Sequence, residues 1–185
     1  MRIVGGKHKG RPLSAPAGRD TRPTSDRARE AIFNVLEHGT GGSGLRGARV
    51  ADVFAGTGAL GLEALSRGAA HCIFVEAARP AVAVLRDNLH DLGEAEHATV
   101  MQKTVAALGA PPGGPVDYAF LDAPYERGLT EQALHVLMEN GWLCAGAVVM
   151  AEVAARETLS PPAPLAVLKE KTYGAARVIF LVFSG

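Results

Sequence analysis

Cysteine is scarce in this chain: two residues, Cys72 and Cys144, among 185. Two cannot build a disulfide framework or a four-ligand zinc site. Both sit among apolar neighbours, as free thiols in a reducing compartment do. Aromatic residues make up only 5%. No apolar run approaches the roughly 18 residues that span a bilayer, so no membrane partner is expected. The stretch MRIVGGKHKGRPL at the start is basic and lacks an apolar core, so a secretory signal is not expected and a cytoplasmic protein is. The six histidines (His8, His38, His71, His90, His97 and His135) show no metal-ligand spacing with cysteine or acids, and no Ser-His-Asp set is discernible. No metal is expected. The 22 glycines and 11 prolines follow no G-x-y period, which excludes collagen. A hydrophobic fraction of 48% excludes a disordered chain.

Net charge is also missing: 19 Lys and Arg oppose 19 Asp and Glu. Zero net charge argues against a polyanionic partner only until the charges are located. Residues 1–30 hold eight basic residues (Arg2, Lys7, Lys9, Arg11, Arg19, Arg22, Arg27 and Arg29) against three acids (Asp20, Asp26 and Glu30), a balance of +5. The remainder holds eleven against sixteen, a balance of −5. The chain is a basic arm on an acidic body.

A length of 185 residues suits one domain, 1–185, with an extension over 1–45 and a core over 46–185. The first 24 residues, broken by Gly5-Gly6, Gly10, Pro12, Pro16 and Gly18, read as a hairpin or extended arm. A helix is predicted over 25–38, capped by Ser25, with Ala28, Ala31, Ile32, Val35 and Leu36 on one stripe. From residue 49 the rhythm alternates. Strands are predicted over 49–54, 71–76, 98–102, 117–121 and 147–153. Helices are predicted over 59–67, 80–92 and 130–140. Such alternation means βαβ units and a parallel sheet, hence an α/β, Rossmann-like fold. Two further strands, 165–172 and 177–183, flank Tyr173-Gly174 and must pair antiparallel.

The run from Asp52 to Gly61 joins the first strand to a helix. Gly56-Thr57-Gly58-Ala59-Leu60-Gly61 matches G-x-G-x-x-G in that context. Glu76 ends the second strand, where a carboxylate accepts hydrogen bonds from two ribose hydroxyls. Loop and acid together point to an adenosine-containing cofactor. The chain is too short for the second substrate region of a nicotinamide oxidoreductase. Asp52 would repel a pyrophosphate and attract the sulfonium and ammonium groups of S-adenosyl-L-methionine (SAM). Asp122-Ala123-Pro124-Tyr125 follows the fourth core strand, again at the carboxyl edge. Asp122 and the Ala123 carbonyl are placed to accept two amino hydrogens of a planar group. Tyr125 is placed to stack on it.

These residues resemble the RsmD family of SAM-dependent 16S rRNA methyltransferases, which modify the 2-amino group of one guanine. The resemblance runs over Arg2-Ile3-Val4-Gly5-Gly6, Gly10-Arg11, Arg22 to Glu30, Phe33-Asn34, Phe54 to Gly68 and Asn140 to Leu143. The Arg-Pro-Thr segment from Arg22 is its most specific part. It implies a class I methyltransferase sheet of seven strands, mostly parallel, with an antiparallel final strand. It implies that Phe54, Ala55, Gly56 and Gly58 hold the methionyl part of SAM, Glu76 the ribose, and Asp122-Ala123-Pro124-Tyr125 the guanine. Ala123 stands where the family usually has a first proline, and Thr104 where it often has Asn or Asp against the adenine. S-adenosyl-L-homocysteine is the implied product. The implied partner is 16S rRNA or an assembling small ribosomal subunit, contacted by Arg2, Lys7, Lys9, Arg11, Arg22 and Arg27. A monomer is expected. The alternatives are an amino-methyltransferase acting on DNA or another RNA, and a non-catalytic RNA-binding assembly factor.

Overall fold

In the computed structural model, which describes residues 1–15, 26–39, 44–125 and 128–185, the alternating rhythm resolves into a single sheet. Its strands are β1 (Arg49–Val53), β2 (His71–Val75), β3 (Ala98–Met101), β4 (Val116–Asp122), β5 (Leu143–Ala154), β6 (Leu165–Tyr173) and β7 (Ala176–Phe183). The helices are α1 (Asp26–His38), α2 (Ala59–Ser66), α3 (Arg79–Leu92) and α4 (Leu129–Glu139). Strand order is β3-β2-β1-β4-β5-β7-β6. The first five strands run parallel. β7 is antiparallel to both neighbours and lies between β5 and β6. This is the expected Rossmann-like methyltransferase sheet.

Side chains alternate across it with period two. Val50, Cys72, Phe74, Tyr118, Phe120, Val148 and Met150 face the layer of α1, α2 and α3. Ala51, Ile73, Val75, Ala119, Leu121, Val149 and Ala151 face α4. In the middle of the sheet both faces are covered, so β1, β2, β4 and β5 read as largely apolar runs, whereas edge strand β6 is exposed and charged.

Most boundaries shift by a single residue from the sequence expectation, and two of the differences bear on the carboxyl edge and on β5. β4 extends to Asp122, because ladder pairing with Glu152 continues past the end of the apolar run. β5 begins at Leu143 rather than 147. Ala145 and Gly146 near its start are exposed, with Gly146 at positive φ and an irregular register opposite Val116–Tyr118, which hid the strand from an alternation reading. The cap expected from Ser25 lies outside the described residues.

The first residues form a hairpin docked on the body. Ile3 and Gly10 donate backbone bonds to Arg11 and Ile3, and Arg2 bridges Pro12. Its turn crosses the end of α2. There Ser66 Oγ donates to the Gly5 carbonyl and accepts from the His8 N–H. A Cβ on Gly6, whose φ is +72°, would fall 1.9 Å from the Ser66 carbonyl oxygen, so only glycine permits this approach.

Glu63, fully buried in α2, accepts the Val4 N–H at 2.8 Å and the Arg67 Nε at 2.8 Å. Arg67 also binds Glu37 of α1 and lies over the Phe33 ring, 5.1 Å from its centroid. Phe33 in turn meets Phe120 of β4 edge-on. One buried carboxylate thus joins hairpin, α1 and α2. Replacing Glu63 with Ala leaves the buried Arg67 Nε and the Val4 N–H without their acceptor, with only Glu37 remaining to the guanidinium. It should destabilise the fold by about 3–5 kcal/mol in urea titration, and a loss under about 1 kcal/mol would show the network to be dispensable.

Candidate active site

The carboxyl ends of β1, β2, β4 and β5 lie side by side in the sheet, and each carries an acid. Glu76 directly follows β2, Asp52 lies in β1, Asp122 ends β4 and Glu152 lies in β5. The loop after β1 bends sharply. Phe54 takes a positive φ of 67°, uncommon for a bulky residue and a mark of strain at a functional turn. Gly58 sits left-handed at the N-cap of α2, where a Cβ would strike Leu85 Cδ1 at 2.3 Å. Ala55 is buried beneath the loop and Gly56 is half-buried at its surface.

Glu76 clasps this loop. One carboxylate oxygen accepts the Gly56 N–H at 2.9 Å, and the other accepts the Ala78 N–H at 2.7 Å. Each oxygen keeps a second lone pair for a ligand hydroxyl. Thr104 lies exposed just beyond β3, at the start of a one-turn helix.

Asp52 was expected to face a cationic ligand directly. Instead it is buried, pointing to the α2 side of the sheet, and its carboxyl accepts the Gly61 N–H at 2.8 Å. Gly58 has no side chain with which to cap α2, and Asp52 satisfies one of that helix's first-turn N–H groups from the strand. Burial pushes its pKa up to about 8; the Gly61 bond opposes the shift, and the charges of Asp122 and Glu76 add to it. At neutral pH it is largely protonated, so its part is structural before it is electrostatic.

Asp122, Ala123, Pro124 and Tyr125 leave the sheet beside this loop. Asp122 and Pro124 are exposed, Ala123 is buried and Tyr125 half-buried. The protein surrounding Asp122 and the charge of Glu152, its register partner, raise its pKa. Water reaching its open side works the other way. The Tyr125 hydroxyl donates to Glu152 Oε1 at 2.7 Å. Glu152 escaped the sequence reading, although an acid within the apolar run Val148–Val153 was a usable signal.

The basic residues expected to meet RNA separate into groups. Lys7 Nζ pairs with buried Glu94 at 2.7 Å, and His8 binds the same carboxylate. Arg11 donates to the Asp91 carbonyl and Arg2 to Asp26. The arm is therefore not a free basic tentacle, and Lys7 and Arg11 serve first to fasten it. Lys9 and Arg27 are exposed along a recess between the hairpin and α1, which Asp26 and Glu30 also line. Arg22 lies outside the described residues. Among the described residues there is no group of three or more His, Cys, Asp or Glu able to hold a metal, and no helix long and apolar enough to cross a membrane.

The family model described as Conserved hypothetical protein 95 matches residues 1–182. Ribosomal RNA small subunit methyltransferase D of Escherichia coli K12 is 38% identical over 175 residues, covering 94% of this chain and 85% of that protein. The chain belongs to the RsmD family. The Haemophilus influenzae member of the same name is 37% identical over 94% of this chain and 89% of its own. Among solved structures, Escherichia coli yhhF is 34% identical with a TM-score of 0.87, covering 100% of this chain and 98% of that one. The Thermus thermophilus 16S rRNA N2 G1207 methyltransferase RsmC, solved with AdoMet and guanosine, shares the fold at 22% identity and TM-score 0.68, over 90% of this chain and 44% of that one.

The donor set of this RsmD-family site fits a cationic, ribose-bearing ligand. A Cβ on Gly56 would meet only the Phe54 carbonyl oxygen, at 4.0 Å, so the loop surface there is open for close approach. The Glu76 carboxylate stands beside it at the β2 end and accepts the Gly56 N–H.

The Asp52 carboxyl gives a pH signature. Its folded pKa is above the unfolded carboxylate value, so the stability it lends is whole below about pH 4 and is lost as pH rises toward its folded pKa. Asp52→Asn should therefore gain stability over the native chain progressively between those limits and hold a constant margin above about pH 8. Thermal melts from pH 4 to 9 check it; a pH-independent margin would mean that the carboxyl titrates as if exposed.

Proposed function

We propose that this chain is a SAM-dependent methyltransferase acting on the exocyclic 2-amino group of a guanine in small-subunit (16S) rRNA, free or within an assembling subunit. The observation that carries the reading is the tetrapeptide Asp122-Ala123-Pro124-Tyr125, which opens at the carboxyl edge beside a glycine loop clasped by Glu76. The names of the RsmD relatives support small-subunit rRNA as the substrate. The chemistry of the tetrapeptide supports an amino group. The reading carries with it a cytoplasmic monomer.

SAM, when bound, supplies an electrophilic methyl group and departs as S-adenosyl-L-homocysteine. Glu76 would accept its ribose hydroxyls, and the backbone from Phe54 to Gly58 would cradle the amino-acid end. Thr104 is the side chain nearest in sequence to the expected adenine contact. On the substrate side, the Asp122 carboxylate and the Ala123 carbonyl accept the two amino hydrogens. That turns the nitrogen lone pair, otherwise delocalised into the ring, toward the methyl group. Positive charge developing on nitrogen is stabilised by Asp122. Tyr125 covers one face of the base and excludes water from it. Ala123 preserves the acceptor of the family's first proline without its fixed φ.

Labelled methyl transfer from SAM to undermodified small subunits, free 16S rRNA and DNA, followed by nucleoside analysis, tests the reading. N2-methylguanosine is the expected product. Label in DNA or on adenine would move the site to the other amino-methyltransferases. No incorporation would leave a non-catalytic RNA binder.

Asp122→Ala should lower the single-turnover rate by about 10²-fold or more while SAM affinity, read by calorimetry, holds. A native rate in that variant would remove Asp122 from the chemistry. Lys9→Ala and Arg27→Ala should each flatten the salt dependence of RNA affinity by about one unit of logarithmic slope. Lys7→Ala should chiefly lower the melting temperature. An unchanged slope in the Lys9 and Arg27 variants would take the recess out of the RNA interface.

A further inference from the structure

We propose that Glu152 is a positioning residue for the target-base pocket: it anchors the Tyr125 ring through its hydroxyl and sets the charge against which Asp122 works. The inference rests on the reading of Asp122-Ala123-Pro124-Tyr125 as an amino-group pocket. Three observations carry it. Glu152 is 7% exposed, near the carboxyl end of β5 among apolar neighbours, where an acid is costly to keep unless it is used. The Tyr125 phenol donates to its Oε1 at 2.7 Å, a charge-assisted bond that ties a residue beyond the end of β4 back to the rigid sheet. Asp122 is its register partner across the β4–β5 ladder.

Fixing the hydroxyl limits the ring to one tilt, and a stacking surface works best when its tilt is set before the base arrives. The second effect is electrostatic. Asp122 is faced by Glu152 from β5, and Asp52 of β1 and Glu76 after β2 belong to the same acidic edge. Asp122's raised pKa follows from burial first and from the Glu152 charge second. A carboxylate made more basic in this way is a better partner for an amino group becoming cationic.

The test compares Glu152→Ala, Glu152→Gln, Tyr125→Phe and the double variant Glu152→Ala/Tyr125→Phe. Each is assayed for methyl transfer from SAM to undermodified small subunits between pH 5.5 and 9. Glu152→Ala and Tyr125→Phe should each lose about tenfold in kcat/KM, the scale of one hydrogen bond to a charged group. The double variant should lose no more than Glu152→Ala alone, because Tyr125→Phe removes only the anchor that Glu152→Ala has already removed. Glu152→Gln retains an acceptor for the hydroxyl and should recover most of the rate at high pH. Its acid limb should move to lower pH, since the charge beside Asp122 is gone. SAM affinity should be unchanged throughout.

Losses that multiply in the double variant, or an acid limb that stays in place in Glu152→Gln, would overturn the proposal. Should Glu152→Ala fail to fold, the Tyr125→Phe loss and the Glu152→Gln pH shift decide it alone. Absence of any methyl transfer by the native chain overturns the functional reading itself, and this inference with it. Native transfer with additive variants overturns only the inference.

Discussion

Parallel strands that end together bring their terminal side chains together, and here the register of β2, β1, β4 and β5 gathers Glu76, Asp52, Asp122 and Glu152 at one edge. Four carboxyl groups this close repel one another unless each is answered. Glu76 is answered by two backbone N–H groups, Asp52 by the Gly61 N–H and a retained proton, and Glu152 by the Tyr125 hydroxyl. The bend at Phe54, the glycine loop and the placement of α2 all follow from delivering those donors. Asp122 keeps an exposed side.

The N-terminal layer depends on a second group of buried ions. Glu63 and Glu94 are both nearly inaccessible, and both bind the hairpin, one through the Val4 N–H and the other through Lys7 and His8. Asn88 of α3 adds an amide that grips Ser14 from both sides and donates to the Thr57 carbonyl in the glycine loop. The hairpin and the cofactor loop therefore share one side chain. The +5 balance of residues 1–30 is in part internal: several of those cations hold the arm to the acidic body, and a smaller set faces outward.

The sheet was legible because its central strands are apolar runs bounded by glycine or a helical stripe, and because strands 165–172 and 177–183 are too closely spaced to pair any other way. The positions of the glycine loop, Glu76 and the tetrapeptide were legible because each follows a strand that the sequence marks out, and they lie at the ends of β1, β2 and β4. What escaped was tertiary. Asp52 reads from the sequence either as a ligand contact or as a cap of the following turn, and only the docked α2 N-terminus shows the capping bond from the Gly61 N–H. The docking of Lys7 on Glu94 joins residues 87 positions apart, which no local pattern announces. Glu152 was hidden within a strand whose other residues are apolar. The early start of β5 was masked by an irregular register around Gly146.

The position of β7 has a consequence for how such a chain is made. The strand that borders β5 is Ala176–Phe183, so during synthesis β5 is complete well before its neighbour leaves the ribosome. Until then its outer edge presents unpaired backbone along a run buried on both faces in the finished molecule, the kind of edge that recruits other strands. Val178 lies opposite Glu152, and the ladder that seals this edge also fixes the acid behind the pocket. A nascent chain thus holds the whole glycine loop and tetrapeptide before it holds a braced site. The strand that completes the edge beside Glu152 is the last one made.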